Sequence, residues 1–285
     1  MKFKKASVAY LCLAPALILI ALFKVFPIIS TILEGFTFNN QWSIQTYKYL
    51  FEDPTFWSSL LTTIKFNVVI TPVQIIISFL LALLVNVNLK GIGVIRTIFY
   101  LPVTISMTVA TVLWNMMLNP NNGIINSILV ALGGSKQGFF TDVHQALWCI
   151  VLVASWIGVG YWMMFILAGL KNVDKSIYES AEIDGANFFR RTVSITIPLI
   201  KNSLLFVLVA DTSTNFLMFA PMQLITQGGP QNSTNVLMYE AYKSAFQYAD
   251  RPRSSAIVTI LLVIIMLICM VQFRALNGSS EGDAE

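Results

Sequence analysis

Glu179-Ser180-Ala181-Glu182-Ile183-Asp184-Gly185-Ala186, with Ile195 and Pro198 following, is a charged interval held between two apolar runs, Gln145 to Leu170 and Asn202 to Phe219. Its residues predict a helix, a sharp turn and a second helix. From Val173 to Ile183 charged and apolar residues recur at helical spacing, with Val173, Ile177 and Ala181 on one side and Lys175, Glu179 and Glu182 elsewhere. Gly185 then admits a positive φ that other residues resist, and Ala186 to Ile195 forms a second amphipathic stretch ending ahead of Pro198. A helix–turn–helix of this kind can seat in the groove of a partner.

The chain on either side belongs in a bilayer. Of its 285 residues 56% are hydrophobic and only 11% charged, far below the roughly 25% charged of soluble domains. Uncharged runs occur at Ala6 to Phe23, Phe66 to Leu89, Thr97 to Leu118, Gln145 to Leu170 and Ser254 to Phe273; a sixth, Asn202 to Phe219, is interrupted only by Asp211. A hydrocarbon core about 30 Å thick needs about 20 helical residues, so these are six candidate transmembrane helices. Barrel strands are excluded because the apolar residues run on without alternation. The expected fold is all-α, a single membrane domain over residues 1–275, with a small acidic tail, 276–285, expected to be disordered. The first run lacks a convincing cleavage site and is read as a retained helix.

Orientation follows from the basic residues. With the N-terminus cytoplasmic, the inner segments collect eleven, Lys2, Lys4, Lys5, Lys90, Arg96, Lys171, Lys175, Arg190, Arg191, Lys201 and Arg274. The outer segments collect five, Lys48, Lys136, Lys243, Arg251 and Arg253, with Lys24 and Lys65 near span ends. That asymmetry predicts both termini, and the interval around Gly185, on the cytoplasmic side. Because the basic residues are scattered over separate loops, no nucleic-acid surface is expected.

The spacing around Glu179 resembles the "EAA" coupling loop of ATP-binding-cassette importer permeases, in which Glu-Ala-Ala is followed by three variable residues, Gly, nine more and Ile-x-Leu-Pro. Gly185 stands six after Glu179, nine residues separate it from Ile195, and Pro198 closes the pattern; Ser180 and Ile197 depart from the usual Ala and Leu. A second segment, Leu224-Ile225-Thr226-Gln227-Gly228-Gly229-Pro230 with Ser233, Thr234, Tyr239, Tyr242 and Phe246 after it, is similar to the stretch following the fifth span in carbohydrate-uptake permeases of the maltose and glycerol-3-phosphate type. Taken alone, Gly-Gly-Pro is only a turn.

The resemblance implies the permease subunit of a type I importer in a bacterial or archaeal inner membrane, moving a sugar. It implies a second permease subunit, two ATPase subunits and an extracytoplasmic solute-binding protein as partners. The coupling loop, about residues 171–200, would dock on the ATPase through Glu179, Ala181, Asp184 and Gly185. ATP would be bound by the partner, so no cofactor is expected here. Rival readings are a permease of the same fold for glycerol-3-phosphate, phosphate or a polyamine, an ion-coupled secondary transporter using Asp211, and a membrane-embedded enzyme. A phosphorylated solute would call for Arg or Lys in mid-span, and the runs hold none.

Polar residues inside the spans are candidates for the solute pathway, since ionisable groups there normally face protein or water. Asp211-Thr212-Ser213-Thr214-Asn215 covers more than a full helical turn, with Asp211 and Asn215 an i,i+4 pair on one face. The structural alternative is hydrogen bonding between helices. Gln74 beside Pro72, Asn115, and Tyr161 and Trp162 after Gly158 and Gly160 are further candidates, the aromatics being suited to stack on a sugar ring. No G-x-x-x-x-G-K-[ST] loop is present, and His144 is the single histidine, so neither nucleotide binding, a metal site nor enzymatic catalysis is expected. Cys12, Cys149 and Cys269 lie singly within spans and read as packing residues.

Overall fold

The computed structural model describes residues 2–87 and 89–277. Apart from one two-stranded hairpin, the regular elements among the described residues are helices, and four of these are long and apolar enough to cross a membrane, or up to six if each of two bent pairs is one span. The contacts divide the chain into two units, residues 1–57 with 240–263 and residues 58–239 with 264–285.

In the first unit, α1 (Lys2–Ile20) passes through a π turn at Ala21–Val25 into α2 (Phe26–Gly35), so the apolar segment Cys12–Gly35 continues as helix well beyond the run ending at Phe23. Lys24 therefore lies inside this helix, correcting its expected place near a span end and the expectation that no span carries a basic residue. A single flexible Lys is compatible with such a position because its stem can carry the charge outward. The segment between the first two expected spans is itself structured. It contains the end of α2, the hairpin β1 (Thr37–Phe38) and β2 (Gln41–Trp42), and α3 (Gln45–Glu52).

Helix α4 (Pro54–Val85) starts twelve residues before the uncharged run did (66 − 54). Pro54 supplies a preset first-turn φ, Asp53 Oδ1 accepts from the Thr55 amide at 2.8 Å, and Lys65 is exposed, so its charge does not end the helix. At the other end Arg96 donates to the Val85 carbonyl through Nη2 at 2.7 Å, satisfying an acceptor that the helix leaves free.

The third run is not one straight helix. It is divided into α5 (Ile92–Tyr100), a 3-10 turn at Leu101–Thr104 and α6 (Met107–Met117), with a 95° bend. Pro102 sits in the tight turn and Ser106 caps α6 by accepting from the Val109 amide, which together explain the break. A short α7 (Ile124–Ala131) follows. By contrast α8 (Ala146–Lys171) coincides with the expected fourth span and is the most enclosed, 61% of its apolar window being buried against 0% for Cys12–Gly35. Met163, Ile166 and Leu170 of α8 pack with Ala82 and Val85 of α4 and with Ile200 and Val207 near and in α12 (Lys201–Phe216). Gly160 of α8 leaves the space in which the Phe99 carbonyl lies.

Between α8 and α12 run α9 (Lys175–Ile183), α10 (Phe188–Arg191), a π turn at Thr192–Thr196 and α11 (Ile197–Leu199). The chain closes with α13 (Leu237–Phe246) and α14 (Arg251–Asn277). Of the expected tail, residues 276 and 277 end α14 and residues 278–285 lie outside those described.

Candidate functional site

The interval around Gly185 folds as its residues predict. Asp174 caps α9 by accepting from the Ser176 amide at 3.0 Å, and that hydrogen bond holds its carboxyl below the usual carboxylate range. The C-terminal end closes through two reciprocal bonds, Ala186 N to Ala181 O at 2.9 Å and Gly185 N to Glu182 O at 3.0 Å. This double closure places Gly185 at φ +78°, where a residue with a Cβ is strained. Arg191 Nη1 then reaches back to Glu182 Oε1 at 2.6 Å, tying the second arm to the first. Tyr178 OH and Thr196 Oγ1, 3.2 Å apart, join α9 to the segment leading into α12.

Of the four residues singled out here in the sequence, Glu179, Asp184 and Gly185 are exposed, whereas Ala181 is buried. Ala181 thus faces inward, and Ile177, expected on the same side, is 38% exposed. The outward surface is apolar as well as charged. Ile183, Phe188 and Phe189 stand 87%, 66% and 75% exposed around the turn. Sequence reasoning passed over these three, although Phe-Phe immediately after a glycine turn in a charged loop was a usable signal.

The second site is a cavity of about 470 Å³ between α4, α8 and α12. Of the pathway candidates, Gln74, Tyr161, Trp162, Asp211 and Asn215 line it. Asn215 Nδ2 donates to Gln74 Oε1 at 3.0 Å and lies 3.3 Å from Thr71 Oγ1, while Gln74 Nε2 donates to the Ala154 carbonyl at 3.1 Å. Gly158 leaves room for that carboxamide. Asp211 is 1% exposed; Trp162 and Asn215 are its side-chain hydrogen-bond neighbours, and its Oδ2 has no partner. Tyr161 and Trp162 meet edge to face with centroids 4.8 Å apart, and Phe206 completes an aromatic wall. Thr214 lines the same cavity, whereas Thr212 and Ser213 face elsewhere: Gln272 donates to Thr212 Oγ1 at 2.9 Å, and Ser213 Oγ lies 3.3 Å from Cys269 Sγ. Asn115 lines a different cavity, near Thr226 and Pro230.

Carboxamides, an acid and aromatic rings around a half-open cavity make a surface that can exchange hydrogen bonds with a polyhydroxylated solute and pack on its apolar faces. Among the described residues no group of three or more His, Cys, Asp or Glu is placed to hold a metal ion.

The sequence matches, over residues 74–279, the family model described as "Binding-protein-dependent transport system inner membrane component". It is 33% identical over 282 residues to the lactose transport system permease protein LacF of Rhizobium radiobacter, covering 95% of this chain and 94% of that one. It is 30% identical over 284 residues to the sn-glycerol-3-phosphate transport system permease protein UgpA of Escherichia coli, covering 97% and 96%. A crystal structure of a bacterial ABC transporter involved in the import of the acidic polysaccharide alginate matches with a TM-score of 0.87 over 97% of each chain, at 23% identity. At that identity the likeness concerns the fold.

Proposed function

Because the chain belongs to the family of binding-protein-dependent transport system inner membrane components, we propose that it forms, with a second permease subunit, the pathway by which an ATP-binding-cassette importer takes up a sugar. That it is an importer permease follows from the family; the solute, the partners' stoichiometry and the residue roles are the proposal. Two copies of an ATPase supply the work and bind the ATP, a solute-binding protein delivers the sugar from outside, and this chain performs no covalent chemistry. Both termini and the Gly185 turn face the cytoplasm, in line with the basic residues.

One observation carries this reading. The exposed turn at Gly185 and the polar cavity lie on one continuous stretch of chain, since α9 to α11 run directly into α12, with a 74° bend between Phe188–Leu199 and Lys201–Phe216. Ile183, Phe188 and Phe189 offer an apolar surface to the ATPase, flanked by Glu179 and Asp184. Movement of that surface reaches α12 through Tyr178 and Thr196, and α12 carries Asp211 and Asn215 to the solute. Alternation between two packings of this stretch exposes the cavity to one side and then the other.

The relatives named for lactose and for glycerol-3-phosphate leave two solute classes in play. The carboxamide and aromatic lining favours the sugar. The test is solute uptake and ATP hydrolysis in proteoliposomes holding the whole transporter, with Phe188→Asp and Phe189→Asp introduced together. Insertion and pairing with the second permease should persist, while ATPase association and uptake are lost. Normal uptake in that variant removes the docking role.

A further inference from the structure

We propose that Asp211 is a specificity-determining residue that excludes anions from the cavity, so that the transported solute carries no negative charge. The proposal rests on the pathway reading above and adds to it the charge class of the solute. Asp211 is the single ionisable acid or base of ordinary strength in the lining, apart from the Tyr161 phenol; no Lys, Arg or His borders the cavity. Its carboxyl is 1% exposed and one oxygen has no hydrogen-bond partner, although donors stand next to the other groups of the network. A buried carboxyl with a free acceptor is costly, and a donor brought into the cavity by the solute relieves that cost.

The aromatic wall reinforces the sign. The faces of Tyr161, Trp162 and Phe206 are electron-rich and attract hydroxyl, C–H or ammonium hydrogens, and an anion placed against them is repelled. Neutral glycosides and amine-bearing sugars satisfy both features. A uronate or a sugar phosphate would bring an acceptor to an acceptor, with no guanidinium or ammonium in the lining to receive it. This chain thereby parts from the acidic polysaccharide handled by its structural neighbour and from the phosphorylated solute of one set of relatives.

The experiment reads the cavity's charge directly. Thr214 lines the cavity and is exposed, so Thr214→Cys, in a chain whose three native cysteines are replaced, places a thiol there. In the assembled transporter in lipid, the rates of modification by a cationic and an anionic methanethiosulfonate are compared with those of a free thiol. The expected cation preference, read at about pH 8.5 so that the buried carboxyl is ionised, is at least about tenfold over the free thiol, as a charged cleft concentrates counter-ions. It should vanish with Asp211→Asn and persist with Asp211→Glu, which keeps the charge and controls for general damage.

Equal rates, or a preference that survives Asp211→Asn, overturn the charge filter and leave the pathway reading standing. If neither reagent reaches the thiol with or without ATP, the cavity is closed to water and both readings fall. Uptake of a uronate-bearing sugar by the wild-type complex as fast as its neutral analogue overturns the proposal whatever the labelling gives.

Discussion

Gly158 and Gln74 are fitted to each other: a methyl group on Gly158 would stand 2.6 Å from Gln74 Nε2, so the absent side chain is the space in which the carboxamide lies. Gln74 is held at both ends there, donating to Ala154 and accepting from Asn215. A free Gln would swing aside cheaply, but this one has two hydrogen bonds to lose, each contributing about 0.5 to 1.5 kcal/mol. Gly158→Ala should therefore assemble normally, lower thermal stability and reduce uptake several-fold. If uptake is unchanged, the carboxamide's position is not part of solute handling.

At Gly185 the constraint is different, because nothing lies within 4 Å of where a Cβ would be. Space is available, and only the backbone resists. Gly185→Ala should cost roughly 1 to 2 kcal/mol of local strain and leave coupling impaired but measurable. Gly185→Pro fixes φ far from +78° and deletes the amide that bonds Glu182 O, so solute-stimulated ATP hydrolysis should disappear while the protein still inserts. Equal hydrolysis in both variants and wild type would show that the turn does not transmit.

The helical class and the turn at Gly185 were legible because each rests on a local signal: uncharged length for the spans, and positive φ at one glycine for the turn. Gln74, Tyr161, Asp211 and Asn215, the residues proposed for the pathway, were also legible singly, as polar side chains where apolar ones belong. Their meeting in one cavity was not, because Gln74 and Asn215 are 141 residues apart and no local pattern encodes that pairing. The bend in the third run was signalled by Pro102 and Ser106 but outweighed by hydropathy, which averages over breaks. Lys65 and Lys24 misled in the same way, since a long side chain can leave the helix axis and carry its charge to water.

A pH prediction follows from Asp53, outside the membrane spans. Burial raises the pKa of its carboxyl, but the Thr55 amide and the Arg253 guanidinium at 2.7 Å outweigh that and hold it below the ordinary range. A lowered pKa means the stabilisation is complete above the ordinary carboxylate range and is lost as pH falls through the folded value. Thermal unfolding of the wild-type complex and of Asp53→Asn should therefore differ by a constant amount above about pH 5 and converge as pH falls below about 4 through the folded value. A gap that stays constant down to about pH 2 would mean the carboxylate's charge contributes nothing.

Orientation is open to direct chemical test. Asp184→Cys should resist a membrane-impermeant thiol reagent applied from outside, and Gly229→Cys should react with it. Asp184 is exposed in this chain, so with the ATPase absent, protection that is lost once the membrane is permeabilised reports on the side of the membrane and not on cover. The opposite pattern reverses the orientation and removes the ATPase-docking role with it.

Asn215 divides two accounts of the polar turn, solute contact and helix–helix adhesion. It bridges α12 to α4 through both Gln74 and Thr71, so adhesion is certainly part of its work. Thr71→Val removes one of those bonds without altering the cavity lining, because Thr71 does not border the cavity. Asn215→Leu removes both bonds and also the lining amide, leaving Gln74 Oε1 without its donor, a loss of about 1 to 3 kcal/mol. If Asn215 meets the solute, Thr71→Val should lower thermal stability and leave uptake nearly intact, whereas Asn215→Leu should depress uptake well beyond its share of the stability loss, with basal ATP hydrolysis retained. Should the two variants lose uptake in proportion to stability, the turn is adhesive and the solute takes another route.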